Sequence, residues 1–503
     1  MRQAADDIAN VPMKKQTKKP LVLAAVMLAM FMAAIEATIV STAMPVIVGE
    51  LGGFSLYSWV FSGYLLMNAV TVLIYGKLSD LFGRKPVITF GIIIFLLGSI
   101  LCGFAQSMGM LILFRVIQGF GAGAVMPIAS TIVGDIYTKE ERAKIQGYLS
   151  SVWGISAITG PALGGLLVEY VSWRYVFWVN IPLGILAIIA LWAFLHEDVE
   201  KKKHDIDYLG AVLLTISIAS FMFILVEGGN NQSWTSLPTL ALLMIGIIAI
   251  TLFVFQERRA VDPMMPFNLW KERSIFIANM ASLTTGIMLI GISSFLPAFV
   301  QGVMEQSPIV AGFTLTTMSI GWPIAATVAG RLLLKIGFRT TSLFGGASLI
   351  FGSMIFVFMS PDAGPITAAT GSFFIGVGMG LTTTSFIVSI QSTVDWKQRG
   401  VATAANMFMR NVGNTIGAAL LGGILNNQFQ RYIHEQETNT EGLTINSANI
   451  LLNEEERNQL SEGVKQILQD GLTFSLHSVY YVVLAFAIVS LILIALLPKK
   501  DAA

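Results

Sequence analysis

Charge is what this chain of 503 residues has least of: Asp, Glu, Lys and Arg together make up 12% of it. Soluble chains carry about 25%, so there is too little polar side chain here to coat a water-facing surface of this size. A single cysteine, Cys102, excludes a disulfide framework and any cysteine-based metal site. The four histidines (His196, His204, His434, His477) are scattered, and neither a metal nor a cofactor is expected. A net charge of +1 offers no basic surface for nucleic acid. There is no Walker A motif: Gly76-Lys77 is followed by Leu78, and Thr71 stands where the first P-loop glycine belongs. The chain therefore does not drive itself with ATP.

Apolar residues are abundant instead, at 54%, with a mean hydropathy of +0.72. They gather into fourteen stretches, each near the length that crosses a bilayer, at 21–43, 57–75, 87–105, 109–131, 146–168, 175–195, 208–226, 237–255, 275–299, 309–329, 342–359, 366–390, 401–424 and 475–497. In lipid such stretches must be helices, because no water satisfies the backbone there and barrel strands are about 10 residues long. The first stretch is too long for a signal-peptide core and no clear cleavage site follows it, so it reads as an uncleaved span. Of the 31 Lys and Arg, 25 fall in the tails and loops on the side of the N-terminus. Four (Arg174, Arg431, Arg457, Lys465) fall on the other side, and Arg115 and Arg410 lie within spans. Positive charge stays cytoplasmic, so the protein is expected in the cell membrane with both termini in the cytoplasm.

Landmarks recur along the chain. Gly76-Lys77-Leu78-Ser79-Asp80-Leu81-Phe82-Gly83-Arg84-Lys85 after span 2 is echoed by Gly330-Arg331 through Gly337-Phe338-Arg339 after span 10, an offset of 254. Gly154 and Gly164 of span 5 are echoed by Gly413 and Gly423 of span 13, an offset of 259. The expected fold is an all-α integral membrane protein of 14 spans. Spans 1–6 and 9–14 form two six-helix pseudo-repeats, and spans 7–8 are an inserted pair. Such repeats are a recurrent transporter plan, with the substrate near the midplane between the halves. The expected division is a tail at 1–20, a bundle at 21–195, linker and inserted spans at 196–274, a bundle at 275–497 and a tail at 498–503. The segment 425–474 is then an extracellular loop with a helical-looking stretch at Asn453–Gln469; it is read as a solvated loop, with a cap over the outer mouth as the alternative.

Intramembrane charge marks function by default, because burying it is costly. Of 30 acidic residues only Glu36 lies deep in a span, on the edge of a small-residue stripe of Ala25, Ala29, Ala33, Ala37 and Ser41. Glu36 sits about 6 Å outward of its span centre and Arg115 about 7 Å outward of its own, at 1.5 Å per residue. The two lone charges of the first half can therefore pair, and protonating Glu36 would release Arg115. Span 4 continues with Gln118, Gly119 and Gly123, and span 5 carries Gly160, Pro161, Gly164 and Gly165, where Pro161 deletes the bond to the Ala157 carbonyl. Asn406, Arg410 and Asn414 form one polar stripe on span 13, open to a substrate group or to backbone carbonyls. With Met32, Tyr64 and Asn68 they are the candidate cavity residues.

These motifs resemble the major facilitator superfamily. Gly76 through Lys85 resembles its loop signature, Leu113 through Gly123 its span-4 signature, and Gly154 with Gly160 through Gly165 its span-5 antiporter signature. Ile35 through Pro45 is similar to the span-1 signature of fourteen-span drug:proton antiporters, with Glu36 where aspartate is usual. The resemblance implies that Asp80 and Arg84, framed by Gly76, Gly83 and Lys85, latch the halves on the cytoplasmic side. Leu334 stands opposite Asp80 in the second copy, so that latch is one-sided. It implies that Arg115 takes part in proton transfer with Glu36, and that Gly160 and Pro161 shape the antiporter helix. The function expected is proton-coupled export of lipophilic cationic or neutral drugs by a monomer, with the proton gradient as the only drive and no enzymatic activity. Export of an anionic or polar metabolite is a second reading, suggested by Arg115 and Arg410 against one carboxylate. A non-transporting receptor or scaffold is a third, weakened by the lack of long cytoplasmic segments.

Overall fold

The computed structural model describes residues 17–137, 139–197, 207–227, 236–260, 267–394, 399–435 and 443–498. Every regular element among them is helical. The long helices are α1 Lys19–Leu51, α2 Tyr57–Phe82, α3 Arg84–Gly103, α4 Met108–Ile136, α5 Lys139–Tyr170, α6 Asn180–Phe194, α7 Tyr208–Glu227, α8 Leu237–Arg259, α9 Arg273–Ala298, α10 Pro308–Leu333, α11 Lys335–Val357, α12 Gly364–Thr393, α13 Arg399–Glu435 and α14 Glu462–Ala495. A short helix, Arg174–Trp178, leads into α6, and α9 ends in a π turn, Phe299–Val303.

Eleven helices among the described residues are long and apolar enough to cross a membrane. The fourteen stretches expected from the sequence fall on the long helices, but α2, α7 and α13 are not among the eleven. In α13 the reason is its polar stripe, which lowers the mean hydropathy of the helix.

Helix ends follow local chemistry. Pro20 opens α1, where a missing N–H costs nothing. Ser107, Ser236 and Ser307 cap α4, α8 and α10 by accepting from backbone N–H groups of the first turn. Only Gly83, at φ 93°, separates α2 from α3. Gly337, at φ 78°, kinks the continuous helical run near the start of α11. Both are left-handed backbone, which suits a residue without Cβ.

Packing is by close approach of small residues, as expected where lipid gives no hydrophobic drive between helices. Ala25, Ala29, Ala33 and Ser41 of the α1 stripe are buried, and α1 lies against α5 and α6. A Cβ on Gly119 would overlap the backbone of Tyr64, and one on Gly123 the Asn68–Val72 turn, so α4 crosses α2 backbone to backbone. The pairs α1–α5, α1–α6, α2–α4 and α3–α4 recur eight helices on as α9–α13, α9–α14, α10–α12 and α11–α12. The pair α7–α8 rests through α7 on α2 and α13.

The two six-helix groups meet along α5–α10 and α2–α13, and where α1 approaches α9. We call the end where α1 stops and α2 starts the distal end. There Tyr57 Oη donates to Ser294 O at 2.7 Å, Gln301 Nε2 to Thr42 O at 3.1 Å and Asn426 Nδ2 to Ser55 O at 2.7 Å. The segment at 443–461 packs onto this end, as the capping alternative has it and not as a solvated loop. Its short helices Ala448–Leu452 and Glu454–Arg457 bury Ala448, Leu451 and Leu452 against the end of α1, where Gly49 lies against the Leu452 backbone. The apolar positions of that short helix face one way, which the surrounding acidic residues obscure in the sequence.

Candidate functional site

The two charges of the first group meet. Arg115 Nη1 of α4 donates to Glu36 Oε1 of α1, and both side chains are sealed, at 2% and 0% exposure. The same nitrogen donates to Gln118 Oε1 at 2.6 Å, and Arg115 Nε reaches Val60 O of α2 at 3.4 Å. The Tyr64 ring lies flat against the guanidinium, 4.0 Å from its carbon, a cation–π contact that shields one face.

Neutral partners complete the cluster; the sequence singled out Gln118 among them, but not Asn180 or Ser99. Asn180, the first residue of α6, donates through Nδ2 to Glu36 Oε2 at 2.5 Å and to Ser99 Oγ of α3 at 3.3 Å. Gln118 Nε2 donates to the same Ser99 Oγ at 2.7 Å, and Cys102 Sγ lies 3.9 Å from Gln118 Oε1. Both carboxylate oxygens of Glu36 are thus taken, and the cluster ties α1, α2, α3, α4 and α6 at one point. The carbonyl oxygen of Asn180 is buried there without a hydrogen-bond partner. A sealed, hydrogen-bonded ion pair of this kind is a device that protonation can undo. A neutral carboxyl no longer holds the guanidinium, and the charge-assisted bonds lost are worth about 1.5–3 kcal/mol each.

The other expected residues divide. Gly160 and Gly164 lie against Thr38 and Ile39 of α1, and Gly165 against Pro308 and Ile309 of α10. Pro161 lies within α5, its carbonyl beside Gly312 of α10. Gly154 has room: its nearest neighbour, Pro323, stands 3.6 Å from where a Cβ would sit. Met32 is fully enclosed in the core and Tyr64 is spent on Arg115, so neither meets open space in this state. Asn68 is half-buried. In the loop signature, the surroundings of Gly76 and the side chains of Lys77 and Asp80 lie outside what the structure describes. Arg84 Nε pairs with Asp135 at 3.0 Å, and the Arg84 and Lys85 amides donate to Glu197 at 2.8 and 3.0 Å. Lys85 Nζ donates to the carbonyls of Trp192 and Leu195. These described partners of Arg84 and Lys85 all belong to the first six-helix group, so the bonds seen here brace α3 against α4 and α6.

On α13, Asn406 is fully employed, donating to Ala278 O, Asn279 Oδ1 and Ser282 Oγ of α9. Arg410 and Asn414, one and two turns on, are only half-buried.

The sequence model of the Major Facilitator Superfamily matches residues 26–418, and the chain belongs to this family of membrane transporters. It is 32% identical over 495 residues to the multidrug transporter protein MdtP of Bacillus subtilis, covering 94% of this chain and 92% of that one. It is 35% identical over 428 residues to multidrug resistance protein 3 of the same organism, covering 85% and 84%. Among solved structures, an inward-facing, unoccupied bacterial homologue of the human lysosomal transporter Spinster shares the fold at a TM-score of 0.68 and 16% identity, covering 96% of this chain and 98% of that one. The protein is thus a multi-pass membrane transporter whose relatives include a multidrug transporter and a multidrug resistance protein.

Proposed function

We propose that this protein exports lipophilic small molecules across the cell membrane in exchange for protons, by alternating access of fourteen spans with both termini in the cytoplasm. The observation that carries the reading is the sealed Glu36–Arg115 pair with Asn180 and Gln118 around it. A proton reaching Glu36 removes the charge that Arg115 answers, and the tie among five helices of the first group loosens. That couples one proton to one rearrangement of the group. The resemblance of Asp80, Arg84 and the span-5 glycines to family signatures supports a gating role for that loop and a packing role for α5.

With the N-terminus inside, the distal end is extracellular. Among the described residues the hydrogen bonds joining the two groups lie at that end, which fits a state closed to the outside. Neutral and anionic amphiphiles fit this geometry better than cations do. In this state Glu36 has no free oxygen to offer a cationic cargo, while Arg410 gives a second reading, export of anionic or polar compounds, its own support.

Proteoliposomes with an imposed pH gradient test the coupling. Glu36→Gln should fold and insert normally but lose drug-dependent proton release. Undiminished release by that variant would sink the proposal.

A further inference from the structure

We infer that Arg410 and Asn414 form a binding site for the anionic headgroup of an amphipathic substrate, a carboxylate or sulfonate. The inference deepens the exporter reading and rests on it only for the direction of transport. Arg410 lies about 4 Å from the centre of the 401–424 stretch, at 1.5 Å per residue. It makes no hydrogen bond, ion pair or ring contact with the described residues, and no charged group among them acts on it. Its guanidinium nitrogens are not sealed either: they are absent from the buried, unpartnered atoms, which include Asn414 Oδ1. A guanidinium at that depth cannot face lipid, so it faces water within the bundle.

Its neighbours sharpen the point. Asn406, one turn back on the same helix, has found three acceptors on α9. Asn414, one turn on, keeps its Oδ1 buried without a donor, and its side chain stands beside Arg410 at the helical spacing that brings side chains together, where its Nδ2 can turn to an anion held by the guanidinium. Arg115, the other embedded cation, is fully answered by Glu36 and Gln118. Among the described residues the embedded part of the chain therefore offers one unanswered cation, an idle amide beside it and no free carboxylate. A guanidinium fork with an amide N–H matches the two oxygens of a carboxylate, whereas a cationic headgroup would meet repulsion. An inside-negative membrane potential would also favour expulsion of an anion.

The probe is dansylaminoundecanoic acid, against its primary amide, with binding read by dansyl fluorescence on the purified full-length protein in lipid nanodiscs without any gradient. Wild type should bind the acid about tenfold more tightly than the amide, the size of one charge-assisted hydrogen bond. Arg410→Gln should erase that difference by weakening the acid alone, and Arg410→Lys should restore part of it. Equal weakening of acid and amide, or no change in either, overturns the inference. If Arg410→Gln does not fold, wild type still decides, since equal binding of acid and amide overturns it as well. Glu36→Gln should keep the preference for the acid while losing driven export, so failure of proton coupling and failure of the anion site give different results.

Discussion

Asn180 shows what a neutral side chain contributes to a site of charges. Its amide donates to the carboxylate oxygen that Arg115 leaves over, and its carbonyl is left idle in the same pocket. After protonation, rotating the amide would turn the idle oxygen toward the new O–H, so one residue can serve both states of Glu36. Asn180→Ala removes the donor and leaves a buried oxygen unanswered, a loss of about 1–3 kcal/mol. Export driven by a pH gradient should fall about tenfold or more. Exchange of labelled for unlabelled substrate without a gradient should change little, and vesicle assays of the two modes compare them. Glu36 and Arg115 were legible in the sequence because an embedded charge is conspicuous among apolar residues and their depths agree. Asn180, Ser99 and Cys102 were not legible: neutral residues near span ends carry no periodic signal, and only the folded arrangement brings three helices to the same carboxylate. The role of Arg410 stays open in the sequence, between substrate and backbone, for a related reason: sequence cannot say whether a polar group has found a partner.

At the scale of helices, the small residues of α5 and α10 decide how closely the two groups can meet. The carbonyl of Pro161 sits where a Cβ on Gly312 would go, and the backbone of Ile309 lies 2.7 Å from the place a Cβ on Gly165 would occupy. Neither neighbour is a flexible side-chain tip, so extra volume must part the helices, at about 1–3 kcal/mol for overpacking. Gly312→Val should therefore insert in the membrane but unfold at a lower temperature and transport poorly, whereas Gly154→Ala, with ordinary room at 3.6 Å, should be nearly silent. Thermal unfolding of the purified variants and vesicle transport check both. The span-5 glycines could be seen in the sequence, but whether each touches its own group or the other could not. Gly160 and Gly164 face α1, and Gly165 faces α10, although all three lie within a few residues. Helix positions were the most readable feature, because runs of apolar residues in lipid leave the backbone one choice. Of the two short helices after α13, Glu454–Arg457 falls in the stretch read as helical, whereas Ala448–Leu452 was hidden, being too short to show a period.

In the whole molecule, the segment after α13 fastens the distal end. Asn449 Oδ1 accepts from the Phe54 amide at 3.0 Å and Asn446 Oδ1 from the Ser55 amide at 3.3 Å, reaching from the second group to the first. Glu305, in the turn before α10, anchors the segment from below. It receives Lys465 Nζ and Gln469 Nε2 at 2.7 and 2.6 Å, with Arg457 Nε at 3.9 Å. It holds a left-handed φ of 54° to do so, which costs a residue with a Cβ about 1–2 kcal/mol. Partial burial raises its pKa, but the bonds to Lys465 and Gln469 and the charges of Lys465 and Arg457 outweigh this and hold it below the usual carboxylate value. A carboxylate depressed in the folded state contributes stability above its unfolded pKa and loses it as pH falls through the folded one. The fastening should therefore be unchanged from neutral pH down to about pH 5 and weaken only below the ordinary carboxylate range. The alkylation rate of Leu452→Cys in a Cys102→Ala background measures this, and Glu305→Gln should remove the low-pH component.

The thiol that such a background deletes has a use of its own. Cys102 is the only sulfhydryl in the chain, and it is enclosed beside the glutamine that shares Arg115 with Glu36. Nature has in effect placed one chemical clock inside the charge cluster. The native protein, with no engineered label, would report each opening of that cluster as a rise in the rate at which a membrane-permeant maleimide consumes the thiol.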